Sequence, residues 1–329
     1  MTEESISSML SSTDIHIDEK KMETYLVAYL DFLGSSNRIK EDDEKLLRDI
    51  ARLYEKTLGF LNLEDTTFSK LQVKIFSDNI IIAQKIDENV PICDYYNVQL
   101  SGILVFSAVF QSLALESPGL LLRGGITIGG LHFNDKFVWG PALLRGYELE
   151  NEFAIYPRII IDTPVLEIIL RLLDDYQTRD PYNKLQPKKE LTDASISNNF
   201  SYNIVAELKH LVTRDFDGTW YLNYLQFGML IKERYNVFVD LVGEERVDEA
   251  FPGLSNLINI LPDLFEGERK CLMKFIKADM PFNVYQKLIW TINYFNSVCA
   301  TCGFSKYIIQ ESEYPMTPYY QSYKGGELI

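Results

Sequence analysis

Cysteine, histidine and basic charge are all scarce in this chain, and each scarcity removes a class of function. Of 329 residues, four are cysteine and three are histidine. Only Cys299 and Cys302, in CATC, have a metal-like spacing. A lone C-x-x-C on a helical stretch lacks the second pair that a structural zinc site needs, so buried thiols are the plainer reading. So few cysteines fit a reducing cytoplasm. His16, His132 and His210 have no partner at a catalytic or ligand spacing and are assigned no chemistry. Acidic side chains outnumber basic ones by 47 to 32, for a formal net charge of -15. A chain that acidic repels a polyphosphate backbone and offers no basic template track, which argues against a nucleic-acid binder or a polymerase-like palm. A nucleotide substrate stays compatible, because metal ions can neutralise its phosphates locally.

Long hydrophobic runs are missing too. The most apolar helix-like stretch, Leu100 to Leu115, is interrupted by Ser101, Gly102, Ser107, Gln111 and Ser112. A spanning helix needs about 20 largely apolar residues, so this one reads as a core helix and no membrane association is expected. The N-terminus is polar and acidic, unlike a signal peptide. No internal repeat and no low-complexity segment is visible.

What is present is an ordinary globular composition, 47% hydrophobic and 24% charged, long enough for one large domain or a domain with an extension. The organising stretch is TYLVAYLDFLGSS, Thr24 to Ser36. Tyr25 to Leu30 is apolar on both faces, as a central strand is, and it ends in Asp31 followed by a Gly/Ser turn. A second stretch, Leu71 to Gln84, reads as two strands around a tight Ser77-Asp78 turn. Between them Leu46, Leu47, Ile50, Leu53, Tyr54 and Leu58 recur at three and four residues, an amphipathic helix. Asp42, Asp43 and Glu44 sit where its positive end favours acids.

After the core helix come a Gly-rich strand (Leu120 to Gly130), a strand turning helical at Pro141, and a short strand from Tyr156 to Asp162. The order strand–helix–strand–strand–helix–strand predicts an α/β (α+β) fold with a split βαβ, ferredoxin-like core. In that topology the first and third strands are antiparallel neighbours, which puts Asp31 beside Asp78. Two acids beside open backbone N–H groups make a seat for divalent metal and triphosphate. The expected organisation is a loose arm (1–21), a catalytic core (22–162) and a packed strand/helix extension (163–329) that is a candidate for building a dimer. Residues 178–200 read as a loop or insertion, 215–225 as a turn and strand, and 284–302 as the clearest helix of the extension.

Six motifs in this order resemble the class III nucleotidyl cyclases. Asp31-Phe32-Leu33-Gly34 is similar to their D-I-x-G metal and phosphate motif, and Lys74 to Asp78 to their K-x-x-G-D hairpin. Arg123-Gly124-Gly125-Ile126 through Gly129, then Trp139-Gly140, resemble the later R-x-G-I-x-x-G and W-G segments. With Phe76–Asn79, Trp139–Leu143, Glu148–Glu150 and Tyr156–Ile159, the run is most similar to the bacterial pyrimidine cyclases of Pycsar antiphage systems. The resemblance covers about half the chain, Thr24 to Asp162.

That resemblance implies conversion of UTP to cyclic UMP and pyrophosphate by two-metal phosphoryl transfer, as an alarm signal read by a separate effector. Asp31 and Asp78, with Phe32, would hold two Mg²⁺ or Mn²⁺ ions. The amides of Phe32, Leu33, Gly34, Ser35 and Ser36 would cradle the phosphates at a helix start. It also implies a homodimer with sites at the interface. Two positions depart from the purine cyclases: their transition-state Asn and Arg fall on Leu144 and Glu148. Arg145 or Arg158, with Arg123, would then supply positive charge. Lys74 matches a base-reading position whose partner falls on Phe137, which shrinks the pocket and favours a pyrimidine. Cytidylate or adenylate cyclisation, or a fold that binds nucleotide without turnover, are the alternatives.

From spacing alone, other readings of the same residues stand open. Asp31 and Asp78 are also ordinary turn residues, Lys74 a strand-edge lysine, and Arg123 an ion-pair partner. The glycines at 124, 125, 129 and 130 suit turns and close packing better than a phosphate loop, because no helix follows directly.

Overall fold

The strand that carries Asp31 is apolar on alternate residues of both faces, and the fold buries both. A computed structural model of the chain describes residues 22–61, 70–86, 92–179, 208–250, 254–277 and 280–314. In chain order the elements are β1 (Glu23–Leu33), α1 (Ser35–Leu61), β2 (Gln72–Phe76), β3 (Asn79–Lys85), α2 (Ile92–Glu116), β4 (Leu121–Phe133), β5 (Val138–Trp139), α3 (Pro141–Glu148), β6 (Ile159–Ile161) and α4 (Thr163–Arg179). The second half adds β7 (Val212–Arg214), β8 (Trp220–Leu222), α5 (Phe227–Val242), α6 (Val247–Ala250), α7 (Leu254–Phe275) and α8 (Phe282–Thr301).

One mixed sheet runs β2-β3-β1-β4-β6-β8-β7, with β5 paired to β4. Strands β2, β3, β1 and β4, with α1 and α2 as crossovers, form the expected split βαβ, ferredoxin-like core. Strand β6 adds parallel to β4, and the β7–β8 hairpin continues the sheet beyond it. The division expected at residue 162 therefore falls inside a continuous sheet. The expected arm (1–21) and most of the expected insertion (178–200) lie outside the described residues.

Alternation along β1 assigns its faces. Leu26, Ala28, Leu30 and Phe32 enter the large core with α1 and α2. Tyr25, Val27 and Tyr29 enter a smaller cluster with Ile81, Ala83, Leu131 and Ala142 of α3. Helix α2 lies between the sheet and the C-terminal helices, packing against both β4 and α7. This explains why it is apolar almost all round. Its buried Gln111 donates to the carbonyls of Leu122 and Pro157. No helix among the described residues is long and apolar enough to cross a membrane.

Helix α1 has a break at Asp42, whose extended backbone caps a second segment: its Oδ1 accepts from the Lys45 N–H at 2.8 Å. The periodic Leu46, Ile50 and Leu53 are buried, but Leu47, included in the sequence stripe, is exposed.

The Gly-rich strand is a packing device. A Cβ on Gly125 would lie 2.3 Å from Leu149 Cβ, and one on Gly146 would lie 2.8 Å from Tyr29 Cβ. The two glycines let α3 lie directly on β1 and β4. Gly125→Ala should push this helix off the sheet and lower stability by about 1–3 kcal/mol, read as a fall in the urea midpoint. An unchanged midpoint would show that the close approach is dispensable.

Candidate active site

The third strand meets the first with Asp31 opposite Asn79 and Leu30 opposite Ile80. Asp78 is therefore the turn residue next to Asp31, and the Phe32 N–H donates to the Asp78 carbonyl at 3.1 Å. The turn is tight enough to hold Ser77 at φ +54°, a left-handed conformation that costs a non-glycine residue about 1–2 kcal/mol. At the other end of the corner, Gly34 takes φ +76° and Ser35 opens α1. The Ser35 hydroxyl donates to Asp78 Oδ2 at 2.5 Å, so the helix start and the turn acid are joined directly.

On the far side, Asp31 faces Arg123 of β4. Arg123 Nε donates to Asp31 Oδ2 at 3.2 Å, and its Nη2 lies 2.5 Å from Glu150 Oε1. Glu150 belongs to a π-helical turn, Leu149–Phe153, closed by the Ala154 N–H on the Leu149 carbonyl. That widened turn holds Glu150 buried against Arg123; such bulges recur at functional sites. Burial pushes the Asp31 and Glu150 carboxyls above their ordinary values, with Arg123 opposing. Asp78 is held below its ordinary value: burial works against that, and the Ser35 and backbone hydrogen bonds outweigh it. Beneath them the Tyr29 hydroxyl donates to Asn79 Oδ1, and burial plus the surrounding acids push it up to about 12.

Several expected site residues converge here: Asp31, Asp78, Arg123, Gly34 and Ser35. Leu33, half-buried, ends β1 beside them, and Ser36 follows Ser35 in the first turn of α1. Phe32 departs from expectation. Its N–H is spent on the Asp78 carbonyl and its ring is buried against Phe110, so it has no amide left for a phosphate. Lys74 and Phe137, distant in sequence, meet at one turn. The Lys74 ammonium donates to the Asn134 carbonyl, and Asn134 Oδ1 accepts from the Phe137 N–H.

Neither arginine offered as a transition-state cation is free at the corner. Arg145 forms a two-point pair with Asp162, which also accepts from Thr127. Thr127 lies four residues, roughly 13 Å, along β4 from Arg123. Arg158 is fully buried and spent on Asp215 and Asp217 of the β7–β8 turn, among the rings of Tyr156, Tyr221 and Trp290. Spacing does not mark those two aspartates as its partners, because the hairpin strand β7 carries no pattern of its own. Glu150 lies inside the Glu148–Glu150 motif, but its spacing assigns it no role.

The oxygen donors fit a hard divalent cation: Asp78 is ionised, Asp31 is its neighbour, and substrate phosphates complete such shells. Among the described residues no group of three or more His, Cys, Asp or Glu is placed to hold a metal ion.

No protein-family model matches the chain, and no curated protein matches it. Among solved structures the chain is similar to the crystal structure of the adenylyl cyclase CyaB from P. aeruginosa, at 15% identity and a TM-score of 0.34, over 46% of this chain and 83% of that one. So distant a likeness decides nothing about substrate, and what the corner does follows from its own side chains.

The Arg158 knot yields a pH prediction. Asp217 is held down to about 2 by hydrogen bonds from Arg158 and Thr219, which outweigh its burial. An unfolded aspartate titrates near 3.9, so this pairing stabilises fully above about pH 4 and is lost as pH falls toward about 2. The urea midpoint of Asp217→Asn should lie below wild type at pH 7, with the gap narrowing below about pH 4. A gap independent of pH would contradict the pairing.

Proposed function

We propose that the protein is a metal-dependent nucleotidyl cyclase of the class III type, converting UTP to 3′,5′-cyclic UMP and pyrophosphate. The observation that carries this is the register of β1 on β3, which sets Asp31 and Asp78 side by side at the start of α1. In the reaction the ribose 3′-oxygen bonds to the α-phosphorus, the bond to the β-phosphate oxygen breaks, and the hydroxyl proton leaves to solvent. Mg²⁺ or Mn²⁺, two per site in this reading, supplies Lewis-acid charge compensation when bound. Asp31 and Asp78 would hold it, and Ser35 fixes the orientation of Asp78. The Gly34–Ser36 amides at the N-terminal end of α1 favour the phosphates. Arg123 balances Asp31 and Glu150.

The pyrimidine preference rests on Lys74 and Phe137 sharing one turn, where an aromatic ring limits the room for a base. The product would act in the cytoplasm as an antiphage signal on a separate effector, a role supported by the motif resemblance. A homodimer is supported by the apolar side chains left exposed on and beside α3: Trp139 (64%), Leu144 (60%) and Ile155 (57%). Leu144→Asp should then halve the mass seen by light scattering and abolish cyclisation. A wild-type monomer would remove the dimer from this reading.

Incubation with each of the four ribonucleoside triphosphates and Mn²⁺ tests the assignment. Cyclic UMP is the expected main product, and Asp31→Ala or Asp78→Ala should drop turnover below detection with the fold retained. Cyclic CMP or cyclic AMP as main product would overturn the base assignment. The pairing of Arg123 with Asp31 favours a second reading, a site that binds nucleotide without turnover. Saturable nucleotide binding with no product would establish it.

A further inference from the structure

A carboxylate on a tight turn has little around it to set its direction, yet both oxygens of Asp78 are held. Ser35 donates to Oδ2 at 2.5 Å, and Asn79 Nδ2 donates to Oδ1 at 3.2 Å. The Asn79 amide is set in turn by Tyr29, whose hydroxyl donates to Asn79 Oδ1 at 2.7 Å. Strand register makes this contact. Asp31 lies opposite Asn79 and Tyr29 opposite Ile81, so Tyr29 and Asn79 are diagonal neighbours on one face of the sheet. Tyr29 is packed in place: it is buried, Gly146 sits against its Cβ, and its ring meets Tyr147 of α3 edge-on at 6.0 Å.

The polarity of this chain of hydrogen bonds has one workable sense. A carboxylate only accepts, so the Asn79 amide must turn its nitrogen to Asp78 and its oxygen to Tyr29, and the phenol must donate. Without the Tyr29 hydroxyl the amide loses the partner that fixes which end faces the acid. We propose that Tyr29 and Asn79 are positioning residues for Asp78 as a metal ligand, Asn79 orienting the carboxylate and Tyr29 acting through Asn79. This rests on the metal-dependent cyclase reading and deepens it, because the packing of α3 on β1 then helps to set how Asp78 meets a divalent cation. Removing a hydrogen-bond partner of a metal ligand typically costs about 10–100-fold in metal affinity or activity.

The test is Mn²⁺ binding by the full chain without nucleotide, read from the electron paramagnetic resonance signal of free Mn²⁺, alongside KM and kcat for UTP. Tyr29→Phe should weaken Mn²⁺ binding about tenfold and raise the Mn²⁺ needed for half-maximal turnover to match, with KM for UTP at saturating Mn²⁺ unchanged. Asn79→Ala should weaken binding at least as much. Combining the two should be no worse than Asn79→Ala alone, because the hydroxyl acts only through the amide. Effects that multiply in the double variant would overturn the proposal. Wild-type affinity in Tyr29→Phe, with Asp78→Ala still abolishing binding, would overturn it too and leave the cyclase reading standing. No Mn²⁺ binding by wild type would overturn both. If Tyr29→Phe does not fold, Asn79→Ala decides alone, and wild-type Mn²⁺ affinity in that variant overturns the proposal.

Discussion

Everything at the corner depends on the pairing of β1 between β3 and β4. A strand whose side chains alternate between two buried faces has one acceptable register, because a slip of one residue would exchange the faces. Here such a slip would send Asp31 into the core beside Leu26 and Leu30 and lift Phe32 out of it. An unpaired carboxylate buried among leucines costs several kcal/mol, so the apolar pattern and the acid enforce the same register. The strand is thus both the centre of the core and the ruler that places the chemistry.

The core topology and the meeting of Asp31 with Asp78 were legible because they follow from local signals: an apolar run, a two-residue turn and a helix period between them. The packing role of the glycines was legible for a related reason, since no helix followed them to make a phosphate loop. Contacts between distant, unpatterned residues were not legible. Arg158 looked like a candidate for charge at the site, yet a fully buried guanidinium must be paired, and its aspartates come from a hairpin more than fifty residues away. The Phe32 amide was offered to phosphate because sequence shows which residues are near a turn but not which N–H groups the sheet has already used. Leu47 fitted the helix stripe by spacing, but the sheet face covers only part of that arc.

The second half of the chain is an integral part of this arrangement. Strands β8 and β7 extend the sheet, α7 and α5 cover the outer side of α2, and the Arg158–Asp215–Trp290 cluster fastens α8 to the strand end next to the site. Buried charge of this kind contributes less to stability than to uniqueness of position, because any displacement leaves an ion without its partner. A neutral polar contact does similar work: the Ser112 hydroxyl of α2 meets the fully buried Glu268 of α7, whose carboxyl desolvation keeps well above its ordinary value. Both contacts join the C-terminal helices to the core by polar points set within an apolar interface.

A left-handed serine and two carboxyls raised by burial are unfavourable features, and they occur within one corner, beside a third carboxyl, Asp78, whose ionised form its hydrogen bonds favour. A core optimised for stability alone would replace Glu150 and Arg123 by apolar residues of similar volume. Concentration of strain and desolvated charge at one place is what a binding or catalytic site imposes on a fold, and the surrounding apolar packing offsets it. The acids also repel one another most strongly when no cation is present. In the cyclase proposed above, cations and an anionic substrate entering together would relieve that repulsion, coupling the two binding events.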